Sequence, residues 1–222
     1  MSLDEAISRL EALITEVRQA SLVDEKTALG SPLALRNEER LINEGKSDFN
    51  VIVFGDLNDF KQLNDEHTHD AGDVGIKRVG EIINEMIIVD LEAKAFRQGG
   101  DEFVILLKQD SVERFLSVSS ALGNILFSHK DQDLQTAMSL GYAFSDGKTS
   151  FSDLLGRAEA ACQIAKVQGD GVCVKWTDET KLNPLIRLSE RCRNCGARTT
   201  CNIAQLNAPP RLKCCPSCGE EF

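Results

Sequence analysis

Apolar side chains recur at Leu3, Ile7, Leu10, Ile14 and Val17, alternately four and three residues apart, with Glu5, Arg9, Glu11, Glu16 and Arg18 mostly on the other side. That period predicts an amphipathic helix of somewhat more than two heptads. Two uses of its apolar stripe stay open: packing on its own domain, or a short parallel coiled coil that pairs two subunits. A second short helix is expected over residues 32–43. Residues 51–54 are an unbroken β-branched and aromatic run ending in Gly55 and Asp56, which reads as a buried strand. From Asp73, Ile76, Val79, Ile83 and Met86 return to helical spacing. Alternation at 93–97 and 102–108 around Gln98-Gly99-Gly100-Asp101 predicts a hairpin. A helix over 112–127, a strand over 137–144, a helix over 151–168 ended by Gly169-Asp170-Gly171, and a last strand over 172–176 complete the pattern. The sum is an α+β fold, an antiparallel-containing sheet with helices crossing one face.

Composition sets the scale and divides the chain. The 222 residues, 42% hydrophobic, suffice for one domain of ordinary size plus a small annex. A net charge of −10 disfavours nonspecific attraction to nucleic acid or acidic lipid. The charge is uneven: residues 185–222 carry +3, so the part before them carries −13. Cys162 and Cys173 lie in the long part, whereas Cys192, Cys195, Cys201, Cys214, Cys215 and Cys218 crowd the short one. Both contrasts put a boundary near Pro184. Three segments are therefore expected: the helix at 1–21, a main domain at 22–184 and an annex at 185–222. No run approaches a membrane span and no basic-then-apolar leader opens the chain, so a cytoplasmic protein without membrane contact is expected.

Two acidic turns draw attention, Asp56 at the end of a hydrophobic strand and Gly99-Gly100-Asp101-Glu102 in the hairpin. If their strands are neighbours, the carboxylates repel unless a cation sits between them, and such oxygen ligands suit Mg²⁺ carrying phosphates. The glycines would admit a phosphate or base close to the backbone. Taken alone, the same residues also fit ordinary solvated turns, and His69 fits an incidental surface position.

Longer motifs separate these readings. Residues 97–103, RQGGDEF, resemble the Gly-Gly-Asp-Glu-Phe signature of the diguanylate cyclase catalytic domain. Residues 56–73, DLNDFKQLNDEHTHDAGD, are similar to that family's other long motif, with Asp56, Phe60, Lys61, Asn64, Asp65, His69, Gly72 and Asp73 in register. Ser139-Leu140-Gly141 and Lys166 are weaker matches, and the resemblance runs over about residues 22–177. It implies a sheet like the palm of nucleotidyl cyclases and polymerases, flanked by helices. It also implies condensation of two GTP into cyclic di-GMP with release of pyrophosphate, across a homodimer. By the same resemblance Asp56, Asp101 and Glu102 would be catalytic, with Mg²⁺ or Mn²⁺ held by Asp56, Asp101, Glu102 and the Leu57 carbonyl. Asn64 and Asp73 would hold guanine, with Phe60, Gly99 and Gly100 beside the nucleotide. Lys61 and Lys166 would supply positive charge to its phosphates. Guanine offers N1–H and N2–H donors to a carboxylate, whereas adenine would face Asp73 with a lone pair, so Asp73 selects GTP over ATP.

The chain also departs from the family. Its usual Asp-x-Leu-Thr-Gly-Leu opening is here Asp24-Glu25-Lys26-Thr27-Ala28-Leu29, without the Asn-Arg that commonly follows. Gly169-Asp170 replaces Gly-Arg, and Asp90-Leu91-Glu92-Ala93 stands where product-inhibited members carry Arg-x-x-Asp. No feedback inhibition through that site is expected. The losses leave an alternative, a GTP-binding scaffold with weak or no turnover. In the annex, Cys192-Arg193-Asn194-Cys195 and Cys215-Pro216-Ser217-Cys218, with nineteen residues between them, have zinc-ribbon spacing. Four thiolates would hold a structural Zn²⁺, and the ribbon would dock a protein partner in preference to nucleic acid.

Overall fold

The computed structural model describes residues 3–88, 91–169, 171–178, 186–191 and 198–203. The elements run α1 (Leu3–Ala20), α2 (Pro32–Asn43), β1 (Val51–Leu57), α3 (Phe60–His67) and α4 (His69–Ile83), the last continued by a π-helical turn at Asn84–Ile88. Then come the hairpin β2 (Lys94–Gly99) and β3 (Glu102–Leu107), α5 (Val112–Val118), the hairpin β4 (Ile125–His129) and β5 (Gln132–Thr136), and β6 (Met138–Phe144). After α6 (Phe151–Gln168) and β7 (Cys173–Lys175), a separate pair β8 (Ile186–Arg191) and β9 (Arg198–Ile203) ends the described chain.

The central sheet has the order β2-β3-β1-β6-β7, antiparallel except for the parallel pair β6 and β7. Its middle strand explains the layering. In β1, Val51, Val53 and Leu57 join a cluster with Ile76, Val79 and Ile83 of α4 and Phe115 of α5. Ile52 and Phe54 point the other way, to Leu35 of α2 and Phe151, Leu154, Ala158 and Cys162 of α6. A strand apolar at successive positions must be covered on both sides, so helices lie on both faces and not on one, as the pattern had suggested. Each fully buried aliphatic or aromatic side chain contributes roughly 1.5–3 kcal/mol. The two helices of the second face begin on serine caps: Ser31 accepts from the Ala34 N–H and Ser150 from the Asp153 N–H.

The expected helix over 112–127 is corrected. After α5 the chain makes a 3₁₀ turn at Ser119–Gly123 and enters β4, whose Phe127 packs with Leu134 of β5 and Ala71 of α4. The exit from β1, expected as an acidic turn, instead winds into α3. The α1 stripe does not pack away: Ile7, Leu10, Leu13, Ile14 and Val17 are 43–67% exposed. No described helix is long and apolar enough to cross a membrane. Strands β8 and β9 pair antiparallel from Ile186↔Ile203 to Arg191↔Arg198. Asp90, Asp170, Pro184 and the four predicted zinc ligands Cys192, Cys195, Cys215 and Cys218 lie outside the described residues.

Candidate active site

Strand β1 ends at the middle of the sheet, where Asp56 lies opposite Glu102 of β3 and Ser139 of β6. Asp56 shares the parity of Ile52 and Phe54, and Glu102 that of Val104 and Leu106, so both carboxylates leave the sheet toward α6. Asp101 occupies the turn before β3. Its carbonyl accepts the Leu57 N–H at 3.2 Å, which ties the turn to the end of β1. A bulge between Arg97 and Gly99 and a positive φ at Gly100 (48°) shape that turn. The two glycines are exposed, with no heavy atom within 4 Å of where a side chain would begin.

The fourth group arrives from the helix layer. Gly141 of β6 lets the α6 backbone approach so closely that a Cβ there would lie 2.1 Å from the Cys162 nitrogen and 2.3 Å from the Ala158 oxygen. One turn beyond Cys162, the Lys166 ammonium donates to the Asp56 carboxylate. Lys166, expected at the nucleotide phosphates, thus lies on a carboxylate of the site. Glu159, on the same face of α6, faces Glu102 electrostatically. Sequence reasoning missed this residue, although its spacing of seven from Lys166 was a usable signal.

The resulting field is negative and partly desolvated. Burial pushes the Asp56 pKa up; the Lys166 hydrogen bond and charge oppose this, and Asp101 adds to it. Glu102 is raised first by burial, then by Asp56, Asp101 and Glu159. Burial likewise raises Glu159. Among the described residues no three His, Cys, Asp or Glu side chains form a ready metal cage. Asp56, Asp101 and Glu102, the three carboxylates expected to share Mg²⁺ with the Leu57 carbonyl, are therefore not gathered into such a cage here, although their donor set is all oxygen, as that ion prefers. An ammonium already seated on Asp56 shows the same demand for a cation.

The residues expected at guanine form a second group on α3 and α4. Asn64 is half-buried, its Oδ1 only 2.0 Å from the place a Cβ on Gly72 would take, so a glycine at 72 is what lets the two helices meet there. Phe60 packs on the core beneath them, while Lys61 is exposed on α3. Asp73, exposed on α4, is paired with Lys26 at 2.5 Å. Lys26 was not among the expected site residues, since an ion pair spanning 47 positions leaves no local trace.

The family model for the diguanylate cyclase GGDEF domain matches residues 21–171. The chain belongs to this family. Its GGDEF domain is 26% identical over 150 residues to diguanylate cyclase DosC of Escherichia coli K12, covering 65% of this chain and 32% of that protein. The match therefore spans about a third of that curated relative's length. Among solved structures, diguanylate cyclase SiaD in complex with its activator SiaC, from Pseudomonas aeruginosa, is 25% identical with a TM-score of 0.62, covering 78% of this chain and 68% of that one. The coiled coil and GGDEF domain of DgcB from Caulobacter crescentus, in complex with c-di-GMP, has a TM-score of 0.67 at 21% identity, covering 78% and 94%, and shows the shared fold.

Proposed function

We propose that the chain condenses two GTP into cyclic di-GMP and pyrophosphate, with Asp56, Asp101 and Glu102 as its catalytic carboxylates. The observation that carries this reading is the strand register that sets Asp56 directly opposite Glu102, beside the Asp101 turn, in a GGDEF domain. Asp56, Asp101, Glu102 and the Leu57 carbonyl would hold Mg²⁺ or Mn²⁺. When bound, the ion supplies charge neutralisation at the phosphates and orients the attacking oxygen. Glu102 takes the 3′-hydroxyl proton, a role open to a carboxylate beside the attacking oxygen. Each 3′-oxygen then attacks the α-phosphorus of the GTP on the other subunit, and pyrophosphate leaves from each.

Asn64 and Asp73 read the guanine edge, Phe60, Gly99 and Gly100 line the nucleotide, and Lys61 approaches its phosphates. Lys166 joins them when cation binding relieves its contact with Asp56. A twofold product requires two facing domains, and the exposed apolar stripe of α1 supports pairing through residues 1–21. The catalytic domain then spans 22–184. Purified full-length protein given GTP and Mg²⁺ should form cyclic di-GMP, and Asp101→Ala or Glu102→Ala should reduce the rate at least 100-fold, on the order of an oxyanion-type loss. GTP binding without product by the dimer would leave only a GTP-binding module.

Residues 185–222 are proposed as a zinc ribbon held by Cys192, Cys195, Cys215 and Cys218, a docking surface for a protein partner. Its support is that antiparallel β8 and β9 flank the connection carrying the first Cys pair. Elemental analysis of the full chain should find one zinc, lost on Cys192→Ser with Cys218→Ser; a metal-free chain that keeps its fold would remove the ribbon.

A further inference from the structure

The ion pair between Lys26 and Asp73 joins two parts of the chain that the family pattern treats differently. Asp73 keeps the family residue, whereas Lys26 stands at a position where the family usually has leucine. The lysine does not hang from a loose loop. Thr27, next to it, is 4% exposed and lies against Gly80 of α4, where a Cβ would come within 2.6 Å of the Thr27 oxygen. That oxygen accepts from Asn84 Nδ2 at 3.2 Å, and the Asp24 carboxylate accepts from both the Thr27 N–H and hydroxyl. The turn is fixed on α4, and the Lys26 stem starts from a set position beside Asp73.

From this we infer that Lys26 is a specificity-determining residue that donates to the O6 oxygen of guanine. The inference rests on the reading of Asp73 as the guanine-binding carboxylate. When a carboxylate takes N1–H and N2–H, its oxygen opposite N1 lies next to guanine O6, and two acceptors face each other. An ammonium with three donors bridges both and removes that repulsion. In the structure Lys26 contacts one oxygen, Asp73 Oδ1, and a carboxylate oxygen can accept from Nζ and N1–H together. Adenine carries an amino donor in place of O6, which would confront the ammonium with another donor. Lys26 and Asp73 therefore reject ATP at adjacent atoms of the base.

The test compares binding of GTP, 6-thio-GTP, ITP and ATP to the full chain, by calorimetry in Ca²⁺ so that turnover does not intervene. The 6-thio analogue keeps N1–H and N2–H but replaces O6 with a weaker acceptor. The unaltered chain should bind GTP about tenfold more tightly than 6-thio-GTP. Lys26→Met should lose about tenfold for GTP, little for 6-thio-GTP, and relax the rejection of ATP. Lys26→Arg should restore most of the GTP preference, and the GTP to ITP ratio, which reports N2, should stay constant across the series. Unchanged GTP to 6-thio-GTP ratios in Lys26→Met would overturn the inference. Tighter GTP binding by that variant would also overturn it, by showing that the lysine competes with the base. No GTP binding by the unaltered chain would refute the guanine reading itself, and this inference with it. Since Lys26 is exposed, thermal unfolding of the variants should be unchanged, which separates the readout from folding.

Discussion

The signature hairpin at 97–102 and the opening turn at 24–30 lie side by side, joined by one guanidinium. Arg97 donates from Nε and Nη2 to the Gly100 carbonyl at 3.0 and 2.7 Å, and from Nη1 to Asp24 Oδ2 at 3.3 Å. The hairpin keeps the family letters, and no heavy atom lies within 4 Å of where a side chain on its two glycines would begin. The opening turn has lost two letters, yet it is bound on every side: Gly30 donates to Ala95 and Arg97 to the Gly30 carbonyl across the sheet edge. Asp24 and Leu29 close the turn itself. The difference teaches that the hairpin meets its positive φ with a glycine at 100, braced by Arg97 on that residue's carbonyl, whereas the opening turn meets its own without one. Where surrounding bonds over-determine a turn, its letters can change and the geometry survives, carrying new charge at Lys26 and new strain at Ala28.

The severest way to break this pairing of turns is Arg97→Met. The side chains of Arg97 and Asp24 are only 12% and 19% exposed, so the variant takes the guanidinium from the Gly100 carbonyl and from Asp24, which keeps only its bonds from Thr27. A loss of about 2 kcal/mol is expected in denaturant unfolding, below the value for a fully buried pair because some solvent reaches both groups. The proposed cyclase activity should fall further than stability predicts, since the Asp101 turn loses its brace. The same contact carries a pH signature. Burial pushes Asp24 upward, but hydrogen bonds from Thr27 and the Arg97 charge outweigh it and hold its pKa below the usual 3.8. A carboxyl lowered on folding contributes stability that is complete above 3.8 and is lost as pH falls through the folded value. The stability gap between the unaltered chain and Asp24→Asn should thus be constant near neutrality and shrink in acid. A gap that widens in acid would show that Asp24 is not held as a carboxylate.

Sequence periodicity and turn chemistry were informative where they agreed. Pro32–Asn43 and Phe151–Gln168 follow serine caps and carry a helical stripe, so their expected and observed ends coincide. Strand β1 was legible because its unbroken apolar run at 51–54 leaves few alternatives to a buried strand. The hairpin of β4 and β5 was not. Its turn places Lys130 and Asp131 at φ of 48° and 63° without a glycine, so the usual hairpin signal is absent, and the apolar residues before it continue the helical run of α5. Helix α3 was hidden for another reason: none of its residues is fully buried, so no apolar stripe announces it. At the site, the carboxylates and Lys166 came from the motifs, whereas Lys26 did not, and neither lysine's carboxylate partner was legible. Lys166 reaches Asp56 across 110 positions and Lys26 reaches Asp73 across 47. Such pairs arise from helix placement, which Gly141 and Gly80 permit through contacts that only the folded chain reveals.

The mildest expected effect sharpens the comparison most directly, because it tests strain without touching charge. Ala28 occupies φ 58°, where the family opening has glycine. A left-handed conformation costs an L residue roughly 1–2 kcal/mol, because its Cβ crowds the following carbonyl. Glycine removes that cost but adds freedom to the unfolded chain, worth about 0.4–1 kcal/mol in the opposite sense. Ala28→Gly should therefore stabilise the protein by about 0.5 kcal/mol. The matching change in the hairpin, Gly100→Ala at φ 48°, should destabilise by a similar amount, since open space around it adds no clash and leaves the same strain and unfolded-chain terms with signs reversed. If Ala28→Gly were neutral while Gly100→Ala was costly, the opening turn would have relaxed around its alanine, and its conformation could not be ascribed to the bonds from Arg97, Thr27 and Asn84. Opposite and comparable shifts would show both turns under the same backbone demand, met by glycine in one and by neighbouring bonds in the other.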